Sequence, residues 1–197
     1  MANSEAGTVI TEAQEFAQGQ HADSEHANRV RNNSLTLFDL TQHRHGLGPR
    51  ERILLEVAAV MHDVGYTNRP SDHHKGSRDL ILKSGIAGLS AEETKMVACV
   101  ARYHTKVMPD PSHKVYGDLA DRDKAVVDQL AALLRIADGL DRSHQDSIEK
   151  LSLEETEGLV RLCVRQKDPN WTDIFGAQKK SDLFEKVFGV RIEIVAN

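Results

Sequence analysis

Aromatic side chains are scarce in this chain: Phe, Trp and Tyr together make up 5 % of 197 residues, with a single tryptophan. Any interior must therefore be filled by aliphatic groups, and the 40 % hydrophobic share supplies them mainly as Ala, Leu and Val. That much apolar surface offsets the chain entropy lost on folding, so long disorder is disfavoured. Cysteine is scarcer still. Cys99 and Cys163 stand far apart, each among apolar residues, which argues against a disulfide framework and fits a reducing cytoplasm. There is no basic excess either: 25 Lys and Arg face 30 Asp and Glu, for a net charge of −5. General binding to nucleic acid duplexes or membrane surfaces needs a broad basic face, so both are excluded, and any anionic ligand must be held by a local site. The longest apolar stretch, Ile53–Met61, is broken by Glu56 and is too short to span a membrane. The start, MANSEAGTVITEAQE, lacks a basic segment followed by an apolar run, so no signal peptide is expected and a cytoplasmic location is.

What the chain does carry is helical periodicity over most of its length. Its size allows one domain with a small appendage. Residues 1–20 are small and polar, and read as one weak helix or a frayed arm. From Asp23-Ser24, a plausible N-cap, Ala27, Val30, Leu37, Phe38 and Thr41 recur at spacings of three and four, predicting a helix that stops near His45-Gly46. Gly48-Pro49 opens a second, Pro49–Val64, apolar on nearly all sides and expected to be the central buried helix. Further helices are predicted over His73–Ser84, from the capping box Ser90-Ala91-Glu92-Glu93 to about His104, and over Ala120–Asp141. After Ser147 the period changes. Leu151 and Leu153, then Val160, Leu162 and Val164, alternate around Glu157-Gly158, which predicts a β-hairpin. Trp171–Phe188 reads as helix and Val190–Val195 as a final strand. The expected fold class is mainly α, a helical bundle with a small C-terminal α+β appendage of hairpin, helix and strand. Its expected divisions are an extension over 1–20, a helical domain over 21–146 and the appendage over 147–197.

The chemistry-bearing residues sit where apolar ones would be cheaper. His62-Asp63 ends the most apolar helix, and burying an unpaired carboxylate is costly. Adjacent helical residues point about 100° apart, so both can reach one point only at a helix end, which Gly65 supplies. His26 lies one turn before Val30 on the core-facing stripe of its helix, and Asp138 follows Leu134 by four residues on another. Three helices thus each aim a ligand-type side chain inward, and a divalent cation would satisfy them together. Singly, each has a plainer reading: a chance dipeptide, a satisfied core histidine, an aspartate that caps a loop or pairs with Arg135 or Arg142. The joint pattern points to metal.

In this helical order the pattern H…HD…D resembles the signature of HD-domain metal-dependent phosphohydrolases. The surrounding words L-L-E-V-A-A-V-M-H-D-V-G-Y, H-H-K-G-S-R-D-L-I, V-A-R-Y-H and L-L-R-I-A-D-G-L-D-R-S-H are similar to the C-terminal HD-like domain of the exopolyphosphatase/guanosine-pentaphosphatase (Ppx/GppA) family, as is L-F-E-K-V-F-G near the end. The resemblance covers about residues 21–195. It implies an HD-type bundle, here as a free-standing module without the family's actin-like phosphatase domains, and with all four ligands intact. One departure is His74-Lys75-Gly76-Ser77, where the family usually reads His-Lys-His-Ser, so any role of that second histidine is lost. Two-metal HD domains add histidines between the His-Asp pair and the last Asp. His73 or His74 and His104 stand in such positions, with His74 favoured by the family's wording. The metal set expected is then His26, His62, Asp63, His74, His104 and Asp138, holding one or two ions of Mn, Fe, Co, Ni or Zn.

Cations beside these residues suit an anionic substrate. Lys75, Arg102 and Lys106 flank the extra histidines, Arg142 follows Asp138 by one turn, and Ser143-His144 continue that edge. The expected roles are metal-assisted hydrolysis of a phosphoester or phosphoanhydride, with Asp63 orienting water, Lys75 and Arg142 neutralising phosphate, and Lys75, Arg102, Arg142 and His144 binding substrate. The resemblance suggests a nucleotide, guanosine pentaphosphate or polyphosphate as that substrate. The rival expectation is a non-catalytic nucleotide- or polyphosphate-binding module that partners a phosphatase. A homodimer is left open.

Overall fold

Helix α4 (Pro49–Met61) buries every residue from Leu54 to Met61, as its all-round apolar pattern requires. In the computed structural model, which describes residues 2–197 with side chains from Ala6 onward, the other helices pack around it. They are α1 (Ala2–Gly19), α2 (Ser24–Leu40), the single turn α3 (Gln42–His45), α5 (His73–Ile81), α6 (Ala91–Arg102), the short α7 (Lys114–Gly117) and α8 (Asp121–Gly139). Helices α1, α2, α6 and α8 all touch α4. Within the segment expected as a weak helix or frayed arm, Ala2–Gly19 form α1, whose Val9, Ala13 and Ala17 lie four apart and are buried. The mainly helical bundle with a small α+β appendage is the observed architecture.

Most boundaries follow local chemistry. The Asp23 carboxylate accepts from the Glu25 and His26 amides at 3.1 and 3.0 Å and caps α2. Ser90 and Glu93 form the reciprocal capping box of α6. Gly46, at φ +63°, closes α3. The predicted second helix is shorter than expected: α4 ends at Met61 and residues 62–68 form turns, so His62 and Asp63 sit on a helix end.

The appendage comprises β1 (Ile148–Thr156), β2 (Leu159–Gln166), α9 (Trp171–Gln178), α10 (Asp182–Phe188) and β3 (Arg191–Ala196). Strands β1 and β2 form the expected hairpin, turning at Gly158 with φ +77°. Strand β3 runs parallel to β2, from Leu159↔Arg191 to Val164↔Ala196. A parallel pair needs a crossover, and the segment predicted as one helix supplies it as two, α9 and α10. Both pack on α8. The α8–α9 crossing is very close: a Cβ on Gly139 would stand 2.5 Å from Ala177 Cα, and one on Gly176 would stand 2.6 Å from the Gly139 oxygen. Arg135, wholly buried on α8, holds α10 through an Asp182 hydrogen bond of 2.5 Å. No helix among the described residues is long and apolar enough to cross a membrane.

Candidate metal centre

Three helix ends deliver the core of the site. His26 lies in the first turn of α2, His62 and Asp63 follow the last turn of α4, and Asp138 lies in the last turn of α8. Their ligand atoms converge. His26 Nε2 stands 3.2 Å from His62 Nε2, 3.5 Å from Asp138 Oδ1 and 3.9 Å from Asp63 Oδ2; His62 Nε2 stands 3.6 Å from Asp63 Oδ2. A second group shares Asp63 through its other oxygen: His104 Nε2 is 3.3 Å from Asp63 Oδ1, His73 Nε2 is 3.6 Å from it, and the two imidazole nitrogens are 3.1 Å apart. Asp63 thus bridges two three-residue clusters, a relation the linear spacing did not reveal.

The histidine that joins His104 is His73, and His74, favoured from the sequence, stands outside the cluster. Successive helical side chains diverge by about 100°, so only one of the pair can face Asp63. The His74 ring lies edge-on to His73 at 5.8 Å and is buried, and burial followed by the His104 and His73 charges lowers its pKa to about 4. Close backbone contact fixes the placement of His73. A Cβ on Gly65 would lie 2.3 Å from the Ser77 amide nitrogen and 2.5 Å from the His73 oxygen, so the turn after Asp63 rests directly on α5.

The donor set fits a divalent cation on two counts. His62 Nδ1 donates to the Ala59 carbonyl at 2.7 Å, His104 Nδ1 to Ala101 at 2.6 Å and His73 Nδ1 to Pro70 at 3.1 Å. A carbonyl only accepts, so each Nδ1 carries the proton and each Nε2 offers a lone pair to the centre. His26 is turned the same way by Asp141, whose Oδ2 lies 2.7 Å from Nδ1 and whose Oδ1 takes Arg29 Nε at 2.7 Å. Lone pairs facing at 3.1–3.2 Å need a proton or a cation between them. The second count is Asp63 Oδ1, which is buried and receives no hydrogen bond.

Between His26 and His62 a proton can serve this purpose. Burial lowers the pKa of His26, but the Asp138 and Asp141 carboxylates outweigh it and raise it to about 9. The fully buried His62 is instead pushed down to about 4 by desolvation. Burial acts to raise Asp138 and Asp63, yet neighbouring groups hold both below the usual carboxylate range, the Lys180 ammonium first for Asp138 and the His62 and His104 imidazoles for Asp63.

His26, Asp63, His73, His104 and Asp138 form part of the lining of a cavity of about 790 Å³, within the usual range for small-molecule sites, while His62 is fully buried. Of the sequence-derived substrate residues, Arg142 and His144 line it, as does Lys106. Two do not. Lys75 pairs with Asp72 at 2.9 Å on the surface, because its helix turns it away from the His73 side. Arg102 is buried with its Nε unpartnered, its guanidinium 5.7 Å from the centre of the Tyr103 ring. The structure adds residues that sequence reasoning missed. Lys180 Nζ hydrogen-bonds Asp138 Oδ2, and Lys179 lines the cavity; both come from the segment between α9 and α10. Asp173 of α9, fully buried, accepts from the Ser143 amide at 2.7 Å, its hydroxyl at 2.9 Å and the Ser147 hydroxyl at 2.5 Å. It holds the turn that presents Arg142 and His144. Asp141 was within reach of sequence reasoning, since Ala-Asp-Gly-Leu-Asp repeats the carboxylate three residues on; Lys180 and Asp173 carried no local signal.

Fold and site together define a class: a mainly helical domain with a candidate metal centre on a cation-lined cavity. The family model described as Ppx/GppA phosphatase, domain III, matches residues 10–175, and the chain belongs to that phosphatase-related family. The match takes in every candidate ligand. It ends before Lys179, Lys180 and the L-F-E-K-V-F-G segment.

Proposed function

We propose that this protein is an HD-type metal-dependent phosphohydrolase acting on a phosphoester or phosphoanhydride. The observation that carries the proposal is the convergence of four imidazole Nε2 atoms and two carboxylates at the wall of a cavity that unpaired cations also line. Among the described residues, the side chains of Arg142, Lys106 and Lys179 have no ion-pair or hydrogen-bond partner, which suits them to phosphoryl oxygens. His26, His62, Asp63 and Asp138 would hold one divalent ion, and Asp63, His73 and His104 a second. Mixed imidazole and carboxylate donors suit Mn, Fe, Co, Ni or Zn. Such an ion, when bound, supplies a water of lowered pKa and a Lewis acid for a phosphoryl oxygen. The protein's own groups would do the rest: Asp63 orients the attacking water, Arg142 and Lys179 neutralise charge on the phosphate, and Lys180 fixes Asp138 so that Oδ1 faces the centre.

A second reading, a non-catalytic nucleotide- or polyphosphate-binding module, is favoured by one observation. The Lys180 ammonium already balances Asp138, so that carboxylate is satisfied without a metal. A panel of phosphoesters and phosphoanhydrides with Mn²⁺, Co²⁺ or Ni²⁺ separates the two. Turnover lost in Asp63→Ala together with the metal supports hydrolysis; nucleotide affinity with no turnover on any substrate supports the binding module.

A further inference from the structure

Tyr66, Trp171 and Phe175 are 56, 60 and 59 % exposed, and among the described residues the only other exposed large hydrophobic is Leu82, at 36 %. In a chain so poor in aromatics, two of these rings line one cavity and the third packs on one of those two. Tyr66 and Phe175 line the same cavity as the imidazole–carboxylate cluster, and they reach it from different elements, the turn after α4 and helix α9. Trp171 precedes Phe175 by one turn of α9, and their rings are 6.0 Å apart and tilted by 32°. Lys179 follows Phe175 by one turn and lines the cavity with it, so one helix face carries an aromatic ring and then a cation. Thr172 and Gly176 complete that face.

Inorganic phosphate chains have no apolar surface and would leave these rings uncovered. A nucleobase would cover them: every base has a π-face that stacks on aromatic side chains without needing a sequence-specific partner. We infer that the cavity takes a nucleoside phosphate rather than an inorganic polyphosphate, with the base on Phe175 and Trp171 and the phosphates towards Lys179 and Arg142. Phe175 is then a specificity-determining residue. The inference rests on the reading of this cavity as the phosphate site, and does not require that the site be catalytic.

Trp171 is the sole tryptophan, so its fluorescence, excited at 295 nm, reports on this rim directly. Titration of the full chain with ATP, with and without Mn²⁺, should quench it saturably. Inorganic tripolyphosphate should bind without comparable quenching, as seen by calorimetry. Phe175→Ala should weaken ATP roughly 5- to 100-fold, the range for loss of one stacked base, and change tripolyphosphate affinity by less than about twofold. Phe175→Tyr, which keeps the ring, should restore ATP affinity, and circular dichroism of each variant checks the fold. Equal weakening of both ligands, or no change in either, would overturn the inference. Quenching without turnover would remove the hydrolase reading and leave this one standing; ATP turnover with an unaltered KM in Phe175→Ala would do the reverse.

Discussion

Two adjacent histidines, His73 and His74, have similar surroundings in the sequence and different ones in space. His73→Ala should lower metal content, because it removes an Nε2 that faces Asp63 and His104, whereas His74→Ala should leave the metal in place. Elemental analysis of the two purified variants decides the matter, and equal loss in both would sink the assignment. Arg142 makes the second test at this scale. Its guanidinium lines the cavity without touching the candidate ligands, so Arg142→Ala should keep the metal and cost about 2–4 kcal/mol of transition-state stabilisation, about 30- to 1000-fold in kcat/KM. Metal lost along with activity would show that the residue serves the fold of the centre instead. His26, His62, Asp63 and Asp138 could be picked out from the sequence because each stood at an apolar-periodic position where a polar group needs a partner. Lys75 and Arg102 were misplaced because proximity along a helix says nothing about which way its face is turned.

Helix ends decide where the ligands stand, and two of them can be probed. Glu93 closes the capping box of α6 and also takes Arg50 Nε and Nη2 at 2.6 and 2.8 Å. Arg50 first, then the Ser90 hydrogen bonds, lower its pKa from 4.5 to about 2 against the opposing effect of burial. A folded-state pKa below the unfolded one stabilises above pH 4.5, and that stabilisation fades as the pH falls towards 2. Glu93→Gln should therefore cost about 1 kcal/mol at pH 7, a partly screened surface pair, with the difference from the unaltered protein narrowing as the pH is lowered from 5 to 3. Urea denaturation at each pH reads this, and a gap that does not vary with pH would contradict it. The α8–α9 crossing offers a sharper test. Gly139→Ala places a Cβ against the Ala177 backbone, which cannot yield as a side-chain tip can, so it should destabilise by about 1–3 kcal/mol. An unchanged melting temperature would mean that α9 does not sit where the structure has it. Local signals were sufficient for the caps, the hairpin and the central helix. The break between α9 and α10 was not visible, because no Gly or Pro marks Lys179–Ser181 and the helix ends where the crossover must bend.

On the scale of the whole molecule, the candidate ligands come from α2, α5, α8 and the turns after α4 and α6, so a bound ion would tie most of the bundle together. An ion held by the native state alone stabilises in proportion to its saturation, about 2.7 kcal/mol at a hundred times its dissociation constant. For a domain of this size, chelation should then lower the melting temperature by roughly 5–10 °C, and added Mn²⁺ should restore it. Calorimetry with and without chelator, repeated on Asp63→Ala, checks this, and an equal response in the variant would place the metal elsewhere. The sequence by itself determined the helical class, the late change to strands and the four residues with a metal-ligand pattern, because periodicity and misplaced polarity are local properties. Only the tertiary structure decided that Asp63 bridges two clusters, that β3 pairs parallel with β2, and that the appendage lends Lys179, Lys180 and Phe175 to the bundle's cavity while its Asp173 holds the turn after α8. These depend on which faces meet. For the appendage, two glycines at the α8–α9 crossing, Gly139 and Gly176, let the two backbones approach closer than any side chain would allow.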